Sequence, residues 1–269
     1  TTRTVFNWTP TLNYRYRFTK QRSLNVNYRG RSQEPELTQL IEVVDDSNPM
    51  NITTGNSGLK PTFNNTLRVE FRDYNAEHLR NINFSVNAGN TLNNIVNQTT
   101  YNEETGGRIT RPTNLDGFWS TWNAGADFNF NTALTNQRFN VSTGTGFNYS
   151  HRESFLRSGA LTLDNPVYPL ATTHQINVNQ TLSGSYRNEW MDITLRGNVR
   201  YSHALNEMQP ENKQDTWQFN YGPNANFNLP WQNITISPYL YHDFEVVPGT
   251  GPVLLGEVSQ SNDDASDNR

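Results

Sequence analysis

The chain contains no cysteine, so it has no disulfide, no thiolate metal ligand and no cysteine nucleophile. No run approaches the roughly 18 apolar residues that a membrane-spanning helix needs. That excludes helical spans only, because a spanning strand needs about 9–11 residues with every second one apolar. Excess basic charge is also lacking. Lys and Arg number 21 against 25 Asp and Glu, a net charge of −4, which gives no case for a nucleic-acid footprint. Apolar residues are 33% of the chain, against roughly 45–50% in ordinary globular domains, and the mean hydropathy is −0.79. An ordinary close-packed core cannot be assumed. What the chain does have is aromatic side chains, at 12%, and abundant asparagine. Disordered chains are poor in aromatics, so simple disorder is disfavoured.

The aromatics fall on alternate positions. The stretch "WNAGADFNFNTALTNQRFNVSTGTGFNYSH" (residues 122–151) shows it best. Trp122, Ala124, Ala126, Phe128, Phe130, Phe139, Val141, Phe147 and Tyr149 share one parity. Asn123, Asp127, Asn129, Asn140, Gly144, Gly146 and Asn148 take the other. Period-2 alternation marks strands with one face in an apolar medium. It recurs through Phe6–Phe18, Leu24–Tyr28, Leu67–Phe71, Ile82–Ala88, Ile176–Tyr186, Ile193–Tyr201, Trp217–Leu229 and Ile234–Leu240. That predicts about ten strands.

The connections alternate short and long. "KQR", "NAEHLR", "TALTNQ", "RNEW" and "PWQN" read as tight turns. Residues 32–61, 101–117, 153–173 and 206–214 read as loops. All turns then lie at one end of the sheet and all loops at the other. The predicted fold is all-β: a partial antiparallel transmembrane β-barrel, with short turns at one end and long loops at the other. In such a wall one face meets lipid and the other a wet lumen, so Asn, Gly, Ser and Arg are tolerated inward. Residues 1–238 are expected to be barrel. Residues 239–269 lose the clear alternation and are expected to form an irregular tail. The chain opens inside a strand pattern, with no initiator Met and no signal peptide, and is expected to be part of a longer protein.

"PTLNYRYRFTKQRSLNVNYRGRSQEP", "SNPMNITTGNSGLKPTFNN", "YNEETGGRITRP", "LSGSYRNEWMDITLRGNVRYSH" and "QDTWQFNYG" together resemble the outer-membrane β-barrel family of Bacteroidota, related to TonB-dependent receptors. The resemblance covers about residues 1–237. Its most specific piece is the loop pattern N-P-x-N-I-x-x-G-N-x-x-L-K-P, Asn48 to Pro61. It implies a place in a Gram-negative outer membrane and a role in nutrient uptake or surface binding. It further implies contact with lipid or lipopolysaccharide, a plug domain, a TonB-type energy-coupling protein and an extracellular ligand. A surface binding or adhesion barrel without transport is the alternative.

Six arginines, Arg15, Arg17, Arg29, Arg31, Arg68 and Arg72, share the polar face of three consecutive strands. They are the candidate ligand-binding residues. Two readings stand: a positive lumen patch that attracts an anion or an acidic plug, or solvated arginines pairing locally with Glu70. Trp8, Trp119, Trp122, Trp190, Trp217 and Trp231 fall near strand ends, where a membrane-interface girdle is expected. Trp119 borders a loop and could instead be a stacking platform. The five histidines show no ligand spacing, and His242–Asp243 is not a catalytic pair. No catalytic set, metal site or cofactor is expected, and "EVVDDSNP" and "SNDDASDNR" do not space their acids as a calcium loop does.

Overall fold

A computed structural model describes residues 7–102, 104–134, 138–158, 168–208, 213–229, 234–247 and 251–265. They form fourteen strands and one short helix. The strands are β1 (Thr11–Arg17), β2 (Arg22–Gln33), β3 (Asn51–Thr53), β4 (Thr62–Asn75), β5 (Arg80–Leu92), β6 (Asn94–Tyr101), β7 (Arg108–Leu115), β8 (Thr121–Leu134), β9 (Phe139–Ser158), β10 (Leu170–Arg187), β11 (Met191–Asn206), β12 (Gln214–Leu229), β13 (Ile234–Val247) and β14 (Gly251–Ala265). Helix α1 is Leu37–Leu40.

Eleven strands make one antiparallel path, in the order β1-β2-β4-β5-β8-β9-β10-β11-β12-β13-β14. Among the described residues β1 and β14 do not pair, so the sheet is open. The strands from β8 to β12 run 14–20 residues, far beyond the usual 5–6 of globular sheets. The register between β8 and β11 runs without a slip. Trp122, Ala124, Ala126, Phe128 and Phe130 therefore stand opposite His151, Tyr149, Phe147, Thr145 and Thr143. Asn123, Asp127 and Asn129 stand opposite Ser150, Gly146 and Gly144. The two faces predicted for residues 122–151 are those of the structure.

The tight turns have side-chain causes. The Asn75 carboxamide accepts from the backbone N–H groups of Glu77 and His78. Asn188 does the same for Trp190 and Met191, and the Thr19 hydroxyl for Gln21 and Arg22. Such side chains mimic a backbone turn partner. "TALTNQ" is shorter as a turn than predicted, since Thr132–Leu134 belong to β8. Its last three residues and "PWQN" lie outside the described residues.

The long connections differ most from expectation. Residues 32–61 contain α1 and β3. Residues 101–117 contain β7, which pairs with β6 as a hairpin. β6 also pairs in parallel with the end of β9, and β7 in parallel with β3. These strands carry Thr, Asn, Arg and a proline, so no apolar alternation announced them. β9 and β10 also extend to Ser158 and from Leu170, into the predicted loop 153–173.

Strand also extends into the segment 239–269, where an irregular tail is expected. β13 runs on to Val247, and β14 pairs with it along its length, with a register shift at Asp243/Phe244. Apolar residues do continue at even positions (Ile234, Ile236, Leu240, Phe244, Val246), and Pro238 and His242 interrupt them. In β14 there is no alternation to read, and backbone hydrogen bonds alone define the strand.

Candidate functional site

The six candidate arginines lie on one face. Arg15 stands opposite Asn25, which stands opposite Glu70. Arg17 stands opposite Ser23 and that opposite Arg72, while Arg68 stands opposite Asn27. Arg29 and Arg31 continue the face toward the long-loop end. Glu70 is 7% exposed and takes Arg72 at 2.9 Å and Arg68 at 3.8 Å. Arg15 donates its Nε to Asn25 at 2.7 Å. Among the described residues Arg17, Arg29 and Arg31 have no acidic partner. Glu70 thus pairs with two of the six arginines, and the face carries more arginines than acids among the described residues. A hollow of about 370 Å³ opens here, lined by Asn13, Arg15, Asn25, Asn27, Glu70 and Arg72.

A second hollow of about 390 Å³ lies further along the same face, at Gly144 and Gly146. A Cβ at Gly144 would come within 2.9 Å of the Asn129 carboxamide oxygen, and one at Gly146 within 3.2 Å of an Asp127 oxygen. The room that these glycines leave is thus partly taken by side chains leaning over from β8.

The pattern from Asn48 to Pro61 proves to be a structural clasp. Asn48 closes a turn by accepting from the Met50 and Asn51 amides. Gly55 packs where a Cβ would meet the Ile41 carbonyl oxygen at 2.1 Å. Asn56 donates to the Pro112 carbonyl, and its own N–H to the Gln39 carbonyl. Leu59 is fully buried. The Lys60 amide donates to Asn114, which donates back to the carbonyls of Lys60 and Asn93. Strands β3, β6 and β7 and this clasp make an ordered plate at the loop end. Leu59, Ile109, Leu115 and Ala171 are the buried apolar side chains among the described residues; the first three belong to the plate, and Ala171 to the loop end of β10. Nearby, Glu42 accepts from the N–H and hydroxyl of Ser57, and Asp45 from those of Ser47. These bonds hold both carboxyls below their ordinary pKa. Among the described residues no group of three or more His, Asp or Glu could hold a metal ion.

The wall itself has an inverted surface. Its apolar face exposes Leu12, Tyr14, Tyr16, Leu67, Phe84, Val86, Phe128, Phe147, Leu182, Leu195 and Trp217. A water-soluble monomer rarely exposes a contiguous apolar band of that size. Residues 1–188 match the model of an outer membrane protein beta-barrel family. The chain belongs to that family. Residues 191–269 match a second model, described as D-lyxose isomerase. Those residues begin in β11, which is laddered to β10 from Thr173↔Asn206 to Arg187↔Asp192. No curated protein matches the chain.

Membership in an outer-membrane barrel family points to an outer-membrane location and assigns the faces. The apolar one meets lipid, and the polar one lines the interior. The tryptophans follow. Trp122 contacts Trp119 at 6.0 Å and Tyr149 at 5.0 Å, and stacks on His151. Trp217 packs on Tyr201 at 4.6 Å. Trp119 is 66% exposed, and its contact with Trp122 draws it to the lipid side. Trp8 packs against Phe63, and Trp190 sits exposed in a turn. Trp231 lies outside the described residues, as do the side chains of His242 and Asp243.

One cluster escaped the sequence reading. His151 and His174 stand opposite each other on β9 and β10, ring centroids 5.1 Å apart. Tyr149 bonds His174 at 2.7 Å, and Glu207 bonds its other nitrogen at 3.1 Å. One strand over from β10, His203 bonds Asp215 at 2.7 Å. Ligand spacing along the chain could not show it. Counting back equally from the predicted loop 153–173 pairs His151 with Gln175, one position off the observed register.

Proposed function

We propose that this chain is barrel wall of a TonB-dependent-type receptor that takes up nutrients across the outer membrane. What carries the reading is one sheet with a lipid-exposed apolar face, a continuous polar face and an ordered plate at its long-loop end. The wall spans and seals, and backbone pairing satisfies groups that lipid cannot. The plate offers a fixed surface for ligand capture. The polar face offers a path inward. A plug domain and a TonB-type energy-coupling protein are the partners this mechanism requires, and lipopolysaccharide is the surrounding lipid.

A surface binding barrel is the second reading, favoured by the plate, whose hydrogen bonds come from its own segments and need no plug. Uptake separates the two. Ligand accumulation in cells is expected to stop when the proton gradient is collapsed, and the full-length protein is expected to retain the coupling protein's periplasmic domain in a pull-down. Capture unaffected by collapse, with no such retention, would select the binding barrel. The isomerase-model match has a simpler reading as wall, because β11 and β12 extend the same ladder.

A further inference from the structure

We propose that the interior face of β1, β2 and β4 holds a cleft for small multivalent anions of the phosphate or polycarboxylate class. The proposal rests on the reading of this face as an aqueous interior. β2 contributes short side chains to it, Ser23, Asn25 and Asn27. Its neighbours contribute long cationic ones: Arg15 and Arg17 from β1, and Arg68 and Arg72 from β4. Two inter-strand spacings place these walls roughly 10 Å apart, with an amide-lined floor between them. The hollow there, at the small end of the range for small-molecule sites, has Arg15 and Arg72 in its lining, with Arg17 and Arg68 on the same face beside it.

The charge is not balanced locally. Six arginines share this face of three strands, and Glu70 is its single acid. The next strand on the same face, β5, adds Asn83, Ser85 and Asn87, all neutral. Three of the heads are held. Buried Glu70 holds Arg68 and Arg72 from one side. Asn25 holds Arg15 by Nε alone, leaving both of its Nη groups free to donate. A guanidinium fork so presented matches the paired oxygens of phosphate or carboxylate. Glu70 then acts as a positioning residue whose negative charge opposes the ligand it helps to seat.

The test uses the full-length protein in detergent, titrated calorimetrically at low salt with citrate, inorganic phosphate and, as a neutral control, glucose. Citrate or phosphate is expected to bind, with affinity falling as salt rises, and glucose is not. Arg15→Gln with Arg17→Gln should weaken binding by about tenfold or more. Glu70→Gln should tighten it, a direction that a merely structural role would not give. Unchanged affinity in the double variant, glucose binding as well as citrate, or binding of hexa-aspartate without either small anion would overturn the cleft. Heat-modifiable gel migration and membrane fractionation are read first on every variant. Failure there counts against the barrel itself, whereas a protein that passes and ignores both anions counts against the cleft alone.

Discussion

Phe128 and Asn129 are neighbours in the chain and opposites in environment. Phe128 stands between Phe84 and Thr145 on the lipid face, 38% exposed. Asn129 stands between Asn83 and Gly144 on the interior face. Arginine at Phe128 should cost about 2–4 kcal/mol if the site is near mid-bilayer, whereas arginine at Asn129 should be nearly neutral. Denaturant unfolding from lipid vesicles reads both, and equal tolerance would sink the assignment of faces. Glycines divide in the same manner. At Gly144 an added Cβ meets a movable carboxamide, so alanine should be accepted. At Gly55 it meets backbone oxygens of Ile41 and Gln39, so Gly55→Ala should cost about 1–3 kcal/mol of local stability and open residues 41–60 to protease. The parity of Phe128 and Asn129 was legible because alternation is local. The reason for Gly55 was not, because the atoms it must avoid lie fourteen and sixteen positions away in an irregular segment.

Among the elements, the plate is the part held by few, identifiable bonds. Asn114 alone ties three backbone groups, at Lys60 and Asn93. Asn114→Ala is expected to remove about 1–3 kcal/mol of local protection. Hydrogen exchange should rise in peptides covering 48–61 while the β8–β11 wall stays protected; a uniform rise would mean that plate and wall unfold as one. The same region should respond to acid. The folded-state pKa values of Glu42 and Asp45 are lowered, so their bonds to Ser57 and Ser47 contribute fully above the ordinary carboxylate range near pH 4 and are lost as pH falls through the lowered values. Exchange at the Ser47 and Ser57 amides, corrected for intrinsic rates, should accelerate below about pH 4 and stay flat between pH 6 and 8. Ten long strands could be found from the chain because each carries its own period. β3, β6 and β7 could not, since the β3–β7 and β6–β9 pairings join segments far apart in sequence and the local β6–β7 hairpin carries no strict apolar alternation. β14 was missed for a different reason: a ladder can form with no side-chain pattern at all.

At the scale of the whole molecule, the plate and the tight turns mark opposite sides of a membrane. The lack of native cysteine makes the orientation directly measurable. Asp46→Cys, in the exposed part of the first long connection, should react with a membrane-impermeant maleimide on intact cells. Glu77→Cys, in a tight turn, should react only after permeabilisation. Equal labelling of both would contradict an outward-facing plate. The split also separates two sources of stability, since the plate has a dry core of its own and the wall depends on lipid against its apolar side. Detergents that strip the lipid should therefore loosen the wall before the plate.

The unbroken register from β8 to β11 governs how these strands can change length. Adding one residue to β9 would exchange its lipid-facing and interior-facing sets from that point onward, bringing Asn148 to the membrane and Phe147 to the water. Adding two would restore both. The wall can absorb many substitutions, since it has no close-packed interior to disturb, but it counts its residues in pairs. Length variation among related walls should accumulate in even steps within the strands and freely in the loops beyond them.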